Sequence, residues 1–423
     1  MALTQQQIDI VKSTVPIIRA HGTTVTTVFY RNLMIAHPEL KNIFSMRHQQ
    51  TGAQQAALAN AVLAYATYID DLGKLTGAVE RIAQKHASLF IKAEHYPIVG
   101  EYLIKAFGEV LGDGMTPEVT DAWVAAYGQL ADVFIGREQQ LYQEAGEWQG
   151  WRKFRIAGKE RLNDSVITFD LEPVDGKALL PYLPGQYISL QIPIPHLDGL
   201  LQSRQFSLTE APKEGLTRYR ISVKKDVDLT NKTAEELAAG KMEGLVSNLL
   251  HGDYEVGQEV ELSPPRGEFF LAPSVKDDST KPLVLLSAGV GASPLLSILG
   301  SVLDSSSPSS RPIQWIHTAK HSGNACFTNQ IREAAAKHDN LKASIFLKEL
   351  RDGDKEGQEY DRVGRMSTHR LGEEQLLPLD NKDAEYFICG PEQWMLELRD
   401  WLVSQGVDRE RQHLELFGTG GLD

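Results

Sequence analysis

The hydrophobic period of this chain changes twice along its length, and those changes restrict it to a three-part architecture. Up to about residue 147, apolar positions recur at three and four, as in Val79, Ile82, Ala83, His86, Leu89 and Phe90. That is the spacing of an amphipathic helix. From "EWQGWRKFRIAGKE" to about residue 272, short alternating runs such as "VITFDLEP", "QYISLQIP" and "RYRISVKK" stand between Pro and Gly turns. Period-two alternation of this kind builds an antiparallel sheet or barrel. After the polar stretch "APSVKDDSTKP", buried strands ("LVLLSAG", "IQWIHTA", "EYFICG") alternate with helices ("SPLLSILGSVL", "TNQIREAAAKH", "PEQWMLELRDWLVSQG"). That order reads as a doubly wound α/β domain with a parallel sheet. The expected units are therefore an all-α domain over 1–147, an antiparallel β-barrel over 148–272 and an α/β domain over 279–423, within a chain of 423 residues. A length of this order suits two or three domains.

Six to eight helices are expected in the first unit, with breaks at Pro38, Gly73, Pro97 and "GDGMTPEV". Thr4 and Gln7 form a capping-box pair, and Thr116 caps a helix whose first position is Pro117. Tyr30 lies on an apolar helix face, Gln54, Leu58 and Val62 fall on successive turns, and His86 sits among apolar neighbours. A lone histidine on such a face is ordinarily a hydrogen-bonded core residue. Buried Tyr, Gln and His groups on different helices need partners, however, and together they suggest a polar ligand inside an apolar pocket. His95 reads as a surface residue beside a turn.

Bulk properties narrow the function further. A formal charge of −13 argues against nucleic acid or an anionic membrane as a partner, so an anionic ligand must be held by local arginines and backbone amides. Two cysteines, Cys326 and Cys389, exclude a disulfide framework and point to a reducing, cytoplasmic compartment. No basic leader is evident before the first helix. The run "PLVLLSAGVGASPLLSILGSVL" carries glycines and a proline in its middle, which favours strand–loop–helix over a membrane span. In it, Gly289 and Gly291 permit a tight turn, and the helix starting near Ser293 and Pro294 offers its N-terminus to a phosphate. The full G-x-G-x-x-G pattern is absent, because proline replaces its last glycine.

The pieces "FYRNL", "HPELKNIF", "AQQAAL", "IAQKHASLFI", "HYPIVGEYL" and "FIGREQQLY" make the first unit resemble a globin, and the whole chain resembles the flavohemoglobins, of fungal type. That resemblance implies haem b on His86 as proximal ligand, with Phe44 against the porphyrin. It implies Tyr30 and Gln54 as distal polar residues, and Tyr96 and Glu138 as a relay behind His86. A carboxylate on the far ring nitrogen makes the imidazole more electron-donating. "LPGQYISL", "SRQFSL" and "EGLVSNLLH" resemble the FAD-binding strands of the ferredoxin-reductase superfamily. Arg204 would then pair with the pyrophosphate, and Lys85, Tyr187, Gln205, Phe206, Ser207, Gly244, Val246 and Ser247 would complete the flavin contacts. Phe206 stands where that family usually has tyrosine, so one flavin hydrogen bond is lost there. "VDLTNKTAEELAAGKM" reads as an inserted helical excursion.

The same superfamily's "AGVGxxP" and "CGP" forms imply a nicotinamide site at Gly289, Val290, Gly291, Ala292, Ser293, Pro294, Cys389, Gly390 and Pro391. Its C-terminal tail, Glu415, Leu416, Phe417, Gly418 and Thr419, would reach the flavin, with Phe417 over the ring. Lys320 is a candidate partner for a 2′-phosphate, and the choice between NADH and NADPH stays open. A hydride donor gives two electrons and haem iron takes one, so flavin belongs between them. The resemblance implies a monomeric nitric oxide dioxygenase that uses O2, NO and NAD(P)H. Its rivals are an oxygen-binding globin with a fused ferric-haem reductase, and a flavin reductase for an external acceptor.

Overall fold

The computed structural model describes residues 2–226, 244–276, 278, 280–304 and 311–418. Its first part contains seven α-helices: α1 (Gln5–Ser13), α2 (Val15–Ala36), α3 (Met46–Thr51), α4 (Ala53–Thr67), α5 (Thr76–Ser88), α6 (His95–Leu111) and α7 (Pro117–Glu144). The capping box at Thr4 is formed in both directions, and Thr116 caps α7 with Pro117 at its first position. Pro97 does not break a helix. It lies in the first turn of α6, which begins at His95, where a missing N–H costs nothing because that group has no intrahelical partner. His95 is partly buried there, and its Nδ1 accepts the Lys92 N–H at 3.1 Å.

The helices enclose two apolar clusters. One includes Phe29, Tyr30, Leu33, Val62, Tyr65 and Phe107, with Phe44 and Leu58 at its margin. The other includes Ala83, Ala87, Tyr96, Phe134 and Leu141. Tyr127 and Leu130 border both.

The middle part is a six-stranded antiparallel sheet of β1 (Arg152–Arg161), β2 (Val166–Pro173), β3 (Tyr187–Ile194), β4 (Leu200–Ser207), β5 (Tyr219–Lys224) and β6 (Glu259–Leu262). Its order is β4-β3-β6-β1-β2-β5. The two outer strands come together through a bridge between Leu208 and Ile221 and a Thr209 N–H to Arg220 carbonyl bond of 3.0 Å, so the sheet closes into a barrel. Alternate residues Ile188, Leu190 and Ile192 fill it, joined by Phe154, Phe169 and Tyr219. The helix α8 (Leu245–Gly252) packs Val246 and Leu250 on the same core. The expected insertion over 227–242 lies outside the described residues.

Beyond a helical turn, α9 (Pro273–Lys276), the third part is a parallel sheet in the order β10-β9-β8-β7-β11-β12. Its strands are β7 (Leu283–Ala288), β8 (Ile313–Ala319), β9 (Leu341–Leu347), β10 (Arg362–Val363), β11 (Glu385–Cys389) and β12 (Gln412–Glu415). Helices α10 (Ala292–Leu303), α11 (Thr328–Lys337), α12 (Thr368–Glu373) and α13 (Glu392–Ser404) complete it. From β7 the chain runs outward through β8, β9 and β10, then returns to β11 on the other side of β7. The switch point, where doubly wound sheets open a crevice at their carboxyl ends, therefore lies between β7 and β11.

Candidate functional site

His86 is in the last turn of α5, and Glu138 lies in the C-terminal third of α7. The His86 Nδ1–H donates to Glu138 Oε1 at 2.7 Å. The Tyr96 hydroxyl, from α6, donates to the same oxygen at 2.6 Å and stands 3.2 Å from Nδ1. Glu138 is 2 % exposed, so three helices converge on one buried carboxylate. Burial, reinforced by Glu138, raises the Tyr96 phenol far above its usual range and keeps it a donor. The Phe134 ring lies 5.7 Å from the imidazole. With Nδ1 committed, Nε2 carries no hydrogen bond among the described residues, and the side chain remains one-third exposed. This donor set fits haem iron: a neutral imidazole oriented from behind by a carboxylate.

Tyr30, on α2, is buried and hydrogen-bonded to Gln54 of α4; burial raises its phenol well beyond the usual range, so it too stays protonated. Phe44 meets the Tyr30 ring edge-on at 5.4 Å. Tyr30, Gln54 and Phe44 thus gather at one apolar cluster, and His86, Tyr96 and Glu138 at the other. The expected helical site residues are brought together in these two groups.

The flavin candidates come from β3, β4 and the start of α8, with Lys85 on α5. Arg204 donates to the Ser203 carbonyl at 2.6 Å, and no ion pair closes on it among the described residues. Burial, aided by Arg47, brings its guanidinium down to about 10. A partly buried cation of this kind, unpaired among the described residues, calls for an anion. Ser207 Oγ and both amide atoms of Asn248 are buried without a partner among the described residues. Gly244 precedes α8 with φ of +70°, and Ser247 Oγ donates to its carbonyl at 3.1 Å. Gly267, at φ +120°, lets the Tyr187 ring approach to where a Cβ would stand 3.0 Å away. Phe206 packs partly buried on the barrel core. These features fit a flavin pyrophosphate and ring edge.

Gln205 Nε2 donates to Ser189 Oγ at 3.1 Å, and Ser189 Oγ donates to Ser88 Oγ at 2.9 Å. The Gly267 N–H donates to Gln84 Oε1 at 3.1 Å, and Arg266 Nη2 to the Leu141 carbonyl at 2.7 Å. The barrel is therefore bonded to the helix that carries His86. Lys85, the residue before His86, is lowered by burial and by Arg204, while Glu415 is raised well above the carboxylate range by burial and then by Glu268. Glu268 pairs with Arg81 at 3.4 Å. Gln84, Arg81 and Glu268 were not singled out from the sequence. Gln84 and Arg81 lie on the α5 face that turns toward the barrel, and only the docked partner reveals their role.

At the switch point, Gly289 has φ of +56°, and a Cβ on Gly291 would collide with the Cys389 carbonyl oxygen. Val290, Ala292, Ser293 and Pro294 follow at the start of α10, and Ser293 Oγ is buried without a partner among the described residues. Gly390 lies against the Trp394 ring and Pro391 precedes α13. The Cys389 thiol is fully buried and raised well above its ordinary range, so it has no nucleophile's character. Glu415 ends β12, Leu416 packs on the sheet, and Phe417 is half exposed. Gly418 is the last described residue, and Thr419 lies outside the described set. Lys320 is exposed and faces Glu349 at 4.0 Å.

No helix among the described residues is long and apolar enough to cross a membrane. The globin family model matches residues 27–134, and the oxidoreductase NAD-binding domain model matches residues 285–399. A flavohemoprotein of Bordetella pertussis is 42% identical over 418 residues, 98% of each chain. One of Chromobacterium violaceum is 42% identical over 421 residues, 99% of this chain and 98% of that one. The crystal structure of a Malassezia yamatoensis flavohemoglobin with bound FAD and heme superposes with a TM-score of 0.81 at 28% identity, covering 99% of this chain and all of that one. The FAD/NAD-binding domain of a Vibrio cholerae nitric oxide dioxygenase covers 63% of this chain and 98% of its own, with a TM-score of 0.51 and 29% identity. These relatives span bacteria and a fungus, so they set the family and not a kingdom. With the globin helices, the barrel and the nucleotide domain arranged in one continuous match, the chain belongs to the flavohemoprotein family.

Proposed function

We propose that the chain is a nitric oxide dioxygenase, an NAD(P)H oxidoreductase that passes electrons through FAD to haem. Two NO, two O2 and one NAD(P)H would give two nitrate, NAD(P)+ and a proton. The observation that carries this reading is the His86–Glu138–Tyr96 unit, bonded through α5 to the flavin barrel. Bound haem would supply the one-electron centre where O2 meets NO, and FAD the step from two electrons to one.

The chain's own residues do the rest. Glu138 holds the His86 imidazole in the tautomer that frees Nε2, and Tyr96 fixes the carboxylate. Tyr30, steadied by Gln54, offers a phenol proton to a ligand in the opposite half of the pocket, which Phe44 walls off from water. Arg204, Ser207 and the start of α8 hold the pyrophosphate, while Lys85, Tyr187, Gln205 and Phe206 border the flavin, with Glu415 and Phe417 beyond it. Gly289–Pro294 and Cys389–Pro391 seat the nicotinamide nucleotide across the switch point. In this reading residues 1–147, 148–272 and 279–423 are the haem, FAD and nucleotide units of a cytoplasmic monomer.

The test is NADH-driven NO loss in air by purified protein showing a Soret band and flavin absorbance. Many turnovers per haem with matching nitrate are expected. Loss of a single NO per haem, however much NADH is supplied, would mean that the reductase units do not return the iron to its ferrous state, and would favour an oxygen-binding globin over a dioxygenase.

A further inference from the structure

Between α2 and α4 the chain has little regular structure of its own, a single 3-10 turn (Pro38–Asn42) and the six-residue α3. This stretch nevertheless carries Phe44, which rests on Tyr30. Much of what holds it comes from the barrel. Gln202 of β4, 2 % exposed, shares its two Nε2 hydrogens among three carbonyls: Lys41 at 3.0 Å and Phe44 at 3.3 Å across the contact, and its own neighbour Leu201 at 2.8 Å. Its Oε1 accepts the Met46 N–H at 2.9 Å. The preceding Leu201 N–H donates to Asn42 Oδ1 at 2.8 Å, and Arg47 closes an ion pair with Asp226 just past β5.

One amide thus contacts three backbone groups spread over six residues of a segment whose own backbone bonds are those of short helical turns. Arg204 lies two residues further along β4, on the same face of the strand. Both residues are held in the one strand, paired to β3 at Ile192 and Leu190.

We infer that Gln202 is a positioning residue of the haem pocket, through which the flavin-bearing strand β4 sets the placement of Phe44 against Tyr30. The inference rests on the proposed haem and flavin sites and adds a coupling between them. A segment with few bonds of its own opens locally unless its partner holds it. Because coupling is reciprocal, an anchor at Arg204 stabilises the Phe44 conformation as much as that conformation favours the anchor.

The experiment uses the full chain with haem and FAD, reduced and saturated with CO, followed by flash photolysis. The parent is expected to rebind CO in one bimolecular phase. Gln202→Met, similar in volume but unable to form the three bonds, is expected to add a second phase about three- to tenfold faster, the scale of one lost buried hydrogen bond. Its flavin should still be reduced by NADH at the parent's rate, which a general loss of structure would not allow. Removing FAD from the parent should reproduce the second phase, and removing it from Gln202→Met should add nothing. Asn42→Ala, a milder cut in the same contact, should show the second phase at lower amplitude. Superimposable traces for both variants and the parent would overturn the inference, as would an equal effect of FAD removal on parent and Gln202→Met. A parent without a Soret band would overturn it together with the haem reading; a parent with one and unchanged variant traces overturns the coupling alone.

Discussion

Replacing Glu138 with glutamine removes a charge from the back of the imidazole and changes almost nothing in volume. The carboxylate accepts two short bonds, 2.7 Å from His86 and 2.6 Å from Tyr96, and is 2 % exposed, so water cannot substitute. A hydrogen bond to a charged group contributes about 1.5–3 kcal/mol and a neutral one about 0.5–1.5 kcal/mol. Losing the charge on the His86 bond therefore costs the more cationic, ferric state about 1–1.5 kcal/mol. At 1.36 kcal/mol per tenfold and 59 mV per tenfold for one electron, the haem potential should rise by about 40–65 mV. An anaerobic spectroelectrochemical titration of the Soret band reads this directly. Tyr96→Phe provides the control. It leaves the His86–Glu138 bond and frees the shared oxygen, so the potential should fall slightly. A shift below about 10 mV in Glu138→Gln, on that same per-tenfold scale, or a downward shift, would refute the electron-donating role given to the carboxylate.

Tyr30→Phe deletes one donor while keeping the ring on Phe44, and O2 dissociation in stopped-flow should quicken about five- to tenfold, the equivalent of one hydrogen bond; an unchanged rate rules out the donor role. Gly291→Ala drives a Cβ into the Cys389 carbonyl, where only backbone could yield, so the nucleotide domain should lose about 1–3 kcal/mol. Reduction of flavin by NADH should collapse while the haem spectrum persists. His317 is fully buried between Ser287 Oγ at 2.8 Å and the Cys326 N–H at 3.2 Å, and burial lowers it to about 4. Its folded value lies below the unfolded one near 6.5, so its stabilising contribution is complete above that pH and is lost as pH falls toward 4. About 3 kcal/mol should disappear over that window in urea titrations of the full chain. His317→Gln should flatten that part of the slope, and an undiminished slope would exclude this source.

The three-part order was legible because each part has its own hydrophobic period, and His86 and Tyr30 were legible as polar groups on apolar helix faces. The start of α6 was misplaced, since proline marks a first turn and does not say which position of it. Strands β9, β10 and β12 were not singled out: β10 is two residues long and β12 four, too short for alternation to register. The barrel-to-globin contacts were invisible for a different reason. Gln84, Gln202 and Ser189 are ordinary polar residues until a distant segment is docked on them, and no local spacing encodes that docking. The pairing of Glu138 with both His86 and Tyr96 joins residues 52 and 42 positions apart; local spacing does not encode it, and only the family resemblance pointed to it.

The hydrogen-bonded chain from the Gln205 amide through Ser189 to Ser88 joins barrel to globin within one polypeptide, and that has a kinetic meaning. It ends at Ser88, two residues past His86, so in the proposed function the reductase and its acceptor never have to find each other by diffusion. Their encounter is replaced by a fixed local concentration that exists at any dilution of the protein. A separate globin and reductase would slow together as the cell became sparse in either one. In this chain the two are present in a fixed one-to-one ratio at any expression level.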